Sequence, residues 1–216
     1  GELHGAFRSF YSGRWLQSDV DPQLSNLGFA GPERLKQLED VGMQVGGRLP
    51  ASRTPWPFLA SFSRQQVSKD LGGFAVPVVA HVSRAMGELT PFTRDTRRLD
   101  VLYSAQHVFD SRDDADVRTD PSATLRRNDN FHHFQARWSN GWGKSSEFTA
   151  GFGMTHAILG SAFQPDATGA STIDLPLLTR TGSAPLATSG LRARYVFNAG
   201  IHTIRRGPLG SHSLDF

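Results

Sequence analysis

From the second residue to Trp15 the chain sorts its side chains two by two. Leu3, Gly5, Phe7, Ser9, Tyr11, Gly13 and Trp15 fall on one side, and Glu2, His4, Ala6, Arg8, Phe10, Ser12 and Arg14 on the other. A period of two marks a β-strand between two different surroundings. At about 3.3 Å per residue the run is near 50 Å long, whereas ordinary strands have about five or six residues. This length, with aromatic and small residues on one face and charges on the other, limits the chain more than any other feature.

The pattern recurs along the sequence. Val41, Met43, Val45, Gly47 and Leu49 alternate with Asp40, Gly42, Gln44, Gly46 and Arg48; Trp56, Phe58, Ala60 and Phe62 follow with Leu59, Ser61 and Ser63 between them. Further runs cover 99–109, 132–138, 148–158, 191–202 and 213–216. A weaker segment at 84–94 is expected to pair with the strand after it, although it contains Pro91, which a central strand tolerates poorly. Short turn-like links near 50–55, 95–98, 140–145 and 205–211 alternate with polar stretches near 17–37, 68–83, 111–128 and 160–189. Short turns on one side and long loops on the other are the asymmetry of an outer-membrane barrel. Residues 32–41, PERLKQLEDV, are expected to form a turn or two of helix inside the first long loop.

The 216 residues are 38% hydrophobic and hold no apolar run near twenty, which excludes a transmembrane helix but not a barrel. Twenty-three basic and 20 acidic residues are interspersed, so no basic stripe marks a nucleic-acid partner. There is no cysteine, which removes disulfides, thiolate metal sites and thiol nucleophiles. The fold class expected is all-β: an antiparallel meander of about eight or nine long strands, part of a transmembrane β-barrel, forming one domain over 1–216. The competing reading is a soluble β-rich binding or structural module docked on a larger assembly. Strand length, the polar second face and the placing of Trp15, Trp56, Trp138 and Trp142 near strand ends favour the membrane.

Several segments also resemble a family. GELHGAFRSFYSGRWLQSD is similar to the point where the plug of a TonB-dependent outer-membrane receptor gives way to its first barrel strand, with Glu2-Leu3-His4-Gly5 keeping the second half of the motif found there. VGMQVGGRLPASRTPWPFLASFSRQ resembles the next hairpin, through Gly46-Gly47, Trp56 and Phe58. RRLDVLYSAQHVF and GIHTIRRGPLGSHSLDF resemble later hairpins, and the nearest subgroup is the Oar-like receptors with a carboxypeptidase-regulatory-like domain. The resemblance implies ligand uptake across the outer membrane of a Gram-negative bacterium, powered through TonB. It implies as partners the outer-membrane lipid and the rest of a receptor chain, since that family's barrel has about 22 strands and a plug. In such a barrel Glu2, His4, Arg8, Arg14, Arg137, Arg192 and Arg194 face the lumen or plug. Phe7, Tyr11, Trp15, Trp56, Trp138, Phe152, Tyr195 and Phe197 face lipid or its interfaces. The transported ligand is not indicated.

Catalytic and cofactor signals are weak. His132 and His133 are adjacent and so point to opposite faces of a strand, and His202 and His212 flank a hairpin turn. The stretch DSRDDADVRTD lacks the spacing and glycine of a calcium loop. No nucleophile elbow or phosphate loop is present. The expectation is no cofactor, no metal and no enzyme, with Asp129, His132 and His133 as the one cluster through which a small outer-membrane barrel enzyme would act.

Overall fold

The computed structural model describes residues 3–16, 34–50, 55–71, 77–116, 118–143, 145–207 and 210–215. The molecule is all-β. Nine strands form one antiparallel meander: β1 (His4–Gly13), β2 (Arg34–Leu49), β3 (Trp56–Asp70), β4 (Val78–Arg94), β5 (Arg97–Asp113), β6 (Leu125–Trp142), β7 (Ser146–Phe163), β10 (Ser189–Gly207) and β11 (Gly210–Asp215). A small hairpin, β8 (Thr172–Asp174) and β9 (Thr179–Thr181), is inserted between β7 and β10. From β2 to β7, and again at β10, the strands run 15 to 19 residues. Among the described residues β1 and β11 are unpaired on their outer sides, and the sheet is open.

Every strand follows its neighbour through a reversal, and the connections alternate as expected. The β4–β5 link is a two-residue turn at Asp95-Thr96, where Asp95 takes the left-handed conformation (φ 54°) that aspartate tolerates better than most residues. Thr96 Oγ1 donates to the Gly141 carbonyl and the Gly141 amide donates to the Thr96 carbonyl, tying this turn to the end of β6. At the opposite end lie the connections 71–77, 114–124 and 164–188. The last two pack on one another. Asp120 and Arg180 bond through their backbones, and Gln164 Nε2 donates to the Ser111 carbonyl (2.8 Å) and to Thr124 Oγ1 (3.1 Å).

One expectation needs correction. Residues 34–41 form strand, not helix: β2 pairs with β3 from Arg34 onward. Their local helix preference yields to ladders with β3 from Arg34 and with β1 from Gln37, with one bulge between Leu35 and Gln37. The segment 84–94 pairs with the strand after it, as expected, and forms part of β4. Thr90 and Pro91 lie in a bulge opposite Asp100, so proline's missing N–H falls where the ladder is already interrupted. The bulge also resets the alternation, returning Phe92 to the face that carries Leu89. The buried Thr90 hydroxyl donates to Asp100 Oδ1 (2.7 Å) and holds it in place.

The sheet has two unlike faces and almost no core. Buried apolar side chains among the described residues are Leu71, Val78, Ala123, Ala157 and Ala184, most of them at the loop end. Thr90→Val keeps the shape of the side chain and removes a buried hydrogen bond to a carboxylate. It is expected to lower stability by about 1–2 kcal/mol in thermal unfolding, while Thr93→Val, exposed on the same strand, changes it by less than about 0.5 kcal/mol.

Candidate functional site

The strand register sorts the side chains into cross-strand rows. One face, called aromatic here, carries Gly47, Phe58, Leu89, Val101, Ala136, Phe152 and Phe197 in one continuous row. The next row toward the long loops is Gly5, Val45, Ala60, Gly87, Tyr103, Phe134, Met154 and Tyr195. Rings touch across strands: Phe152 lies 4.9 Å from Phe197 and 6.2 Å from Phe134, and Phe92 stacks on Trp138 at 5.6 Å. Among the described residues no element packs over them. Phe197 is 78% exposed and Phe7 72%.

Toward the long loops this face turns polar. The row of Phe7, Met43 and Phe62 ends in His132 and His156; the following row holds Arg64, His107 and Asn130; the one after holds Glu39, Gln66, His81 and Asn128. The Tyr103 hydroxyl hydrogen-bonds His132 Nδ1 (2.8 Å), and His107 Nε2 hydrogen-bonds Asn128 Oδ1 (2.7 Å). Toward the turns the boundary is Arg97 opposite Asn140.

The opposite face is polar and holds a cavity of about 570 Å³. Two rows form its bed: Ala6, Gln44, Ser61, Met86, Ser104, His133 and Thr155, and beside them Arg8, Gly42, Ser63, Arg84, Gln106 and Phe131. Arg84 Nε donates to Gln106 Oε1 (3.1 Å), and His133 Nδ1 hydrogen-bonds Thr155 Oγ1 (3.0 Å). Arg8 meets Asp40 at 3.4 Å. Its side chain lies over Gly42, where an added Cβ would come within 3.0 Å of Arg8 Nε. His4 uses Gly46 in the same way, and Asn198 uses Gly151. On this face glycines opposite long polar side chains make room for them to lie flat.

The sequence-derived residues fall out as follows. His4 and Arg8 on β1, Arg137 on β6, and Arg192 and Arg194 on β10 share the polar face. Arg8 alone of these lines the cavity, while Arg192 and Arg194 stand in its two rows on β10. Arg14 lies in a 3₁₀ turn beyond β1 with Trp15, and Glu2 lies outside the described residues. Phe7, Tyr11, Trp56, Trp138, Phe152, Tyr195 and Phe197 share the aromatic face. Sequence reasoning missed Arg84, Gln106 and Gln44 as site residues. The signal was available in the Ser83-Arg84-Ala85-Met86 alternation, but the pattern of this segment is weaker than that of the other strands and its rows depend on register.

The acidic and histidine clusters resolve into separate local roles. Asp129 is 3% exposed; its Oδ2 accepts from Arg127 Nε (2.6 Å) and its Oδ1 from the Gly160 amide (3.0 Å). His132 lies on the aromatic face and His133 on the other, so the three do not converge. Asp116 accepts from the Arg118 amide and Thr119 hydroxyl, and Asp120 from both the Ser122 amide and hydroxyl. Those bonds pull the Asp120 carboxyl below the usual aspartate range. His202 pairs with Asp215 (2.5 Å), and the backbone of His212 lies opposite Arg205. Among the described residues no group of three or more His, Asp or Glu side chains is arranged to hold a metal ion.

No protein-family model, curated protein or solved structure matches this chain.

The glycine beds yield a test. A Cβ at position 151 would sit 2.2 Å from Asn198 Oδ1. Gly151→Val is therefore expected to destabilise by about 1–3 kcal/mol, and Asn198→Ala in the same chain to recover most of the loss in denaturant unfolding.

Proposed function

We propose that this chain is a stretch of an outer-membrane β-barrel, with the aromatic face toward lipid and the polar face toward a lumen. The observation that carries the reading is the apolar band, which crosses seven strands in register with no charged side chain in its two central rows. A soluble sheet buries such a face under a second layer, and no described element packs there. The band's height also fits. Ten positions on β6 separate Asn140 from Asn130, about 33 Å of strand. At the ~40° tilt of barrel strands this spans about 25 Å, the height of a barrel's apolar belt. Trp138, Trp56 and Trp142 stand toward the turn-side edge, and Tyr103 and Tyr195 stand one row inside the His132–His156 row. No described helix is long and apolar enough to cross a membrane, so crossing falls to the strands.

The open edges agree with this reading. Lipid offers no partners to the free backbone groups of β1 and β11, so in a membrane they pair with further strands of a larger barrel. That the barrel is a TonB-dependent receptor, taking up a ligand across the outer membrane of a Gram-negative bacterium, rests on the sequence resemblance alone.

Because the chain has no cysteine, single cysteines report each face cleanly. In vesicles, Phe152→Cys and Met154→Cys are expected to resist a water-soluble maleimide and react with a lipophilic one. Gly153→Cys and Thr155→Cys are expected to react with the soluble reagent. Uniform labelling, or a protein that stays monodisperse without detergent, means a soluble β module. A charge separates the faces energetically as well. Ala136→Arg is expected to cost about 2–4 kcal/mol in a bilayer, whereas Gln135→Arg, one residue away on the polar face, costs about 1 kcal/mol or less.

A further inference from the structure

We propose that the cavity on the polar face binds a small multivalent oxyanion, its carboxylates or phosphates held around Arg84. The inference takes from the reading above that this face is a lumen and names what the lumen accepts. Its volume lies within the range of small-molecule sites. Arg84 stands in the middle of the bed, on β4, with Arg8 three strands away on one side and His133 two strands away on the other. Gln106 holds the Nε of Arg84 from the side. Its terminal nitrogens remain as a planar pair of donors, the geometry that grips a carboxylate or phosphate with two parallel bonds.

Charge distribution singles out this cavity. Elsewhere on this face arginines meet carboxylates: Arg98 with Asp100 and Arg127 with Asp129. No acidic side chain lines the cavity among the described residues. Arg8 has Asp40 at its edge, but that contact is long and solvent-exposed, the kind that contributes little and yields to a better partner. Gly42 leaves Arg8 room to lie across β2 toward the cavity. Ser61, Ser63, Ser104 and Thr155 add hydroxyl donors, while Met86 and Phe131 supply apolar surface for a carbon skeleton. Arg192 and Arg194, in the same two rows on β10, extend the positive field along the sheet.

The test is calorimetric titration of the intact purified protein with citrate and, separately, with pyrophosphate, at low and moderate salt. Saturable binding of either supports the proposal, and the preferred one tells carboxylate from phosphate. Arg84→Gln is expected to weaken that binding at least tenfold with an unchanged circular dichroism spectrum. Arg48→Gln, on the same face but outside the cavity, is expected to leave it within twofold. Binding of neither anion overturns the proposal, as does equal binding by Arg84→Gln, or capture of an acidic peptide but not of the small anions. Vesicle insertion of the same preparation keeps the two readings apart. A protein that inserts and binds neither anion overturns the ligand alone. One that binds citrate through Arg84 but does not insert overturns the lumen and leaves the anion site standing.

Discussion

Backbone pairing between very long antiparallel strands holds this molecule together. In most domains a buried apolar core stabilises the fold and the ladders follow it. Here the buried apolar side chains among the described residues are a handful, most of them near the loops, and β2 to β7 and β10 each pair with a neighbour on either side. Among the described residues this sheet is a single layer, with no element packed on its aromatic face. One face is apolar and aromatic and the other polar, so register decides which side chains meet on each.

The same constraint explains details that look unrelated. A bulge at Thr90-Pro91 costs ladder bonds, yet without it every residue from Phe92 onward would move to the wrong face, because a one-residue slip inverts the pattern. Glycines opposite Arg8, His4 and Asn198 have no packing role in a core. They keep the polar face shallow enough for long side chains to lie flat and for a cavity to remain open above them. At the loop end, where the strands rise beyond the aromatic band, the aromatic face becomes polar and the connections pack on one another through backbone bonds and Gln164.

The faces of the strands were legible in the sequence because side-chain direction in a strand follows from position alone. Phe7, Trp56, Trp138, Phe152, Tyr195 and Phe197 share one face, as their spacing predicts. Strand ends were less legible. Beyond the aromatic band both faces are polar, the alternation fades, and 68–70 and 78–83 look like loop although they are paired. Residues 34–41 misled for a related reason: a helix-like local pattern says nothing of ladders waiting on both sides. The cavity was the least legible feature, because Arg8, Arg84 and His133 are far apart in the chain and only the register of five strand pairs sets them in adjoining rows.

By itself, then, the sequence determined that the chain is built of long strands with one apolar and one polar face, since a period of two is a local property of the backbone. Tertiary structure decided which residues stand in one row, where the bulges reset the alternation, and that the positive side chains gather around Arg84. Those depend on pairing register, which is a relation between distant segments, and no short stretch of sequence contains it.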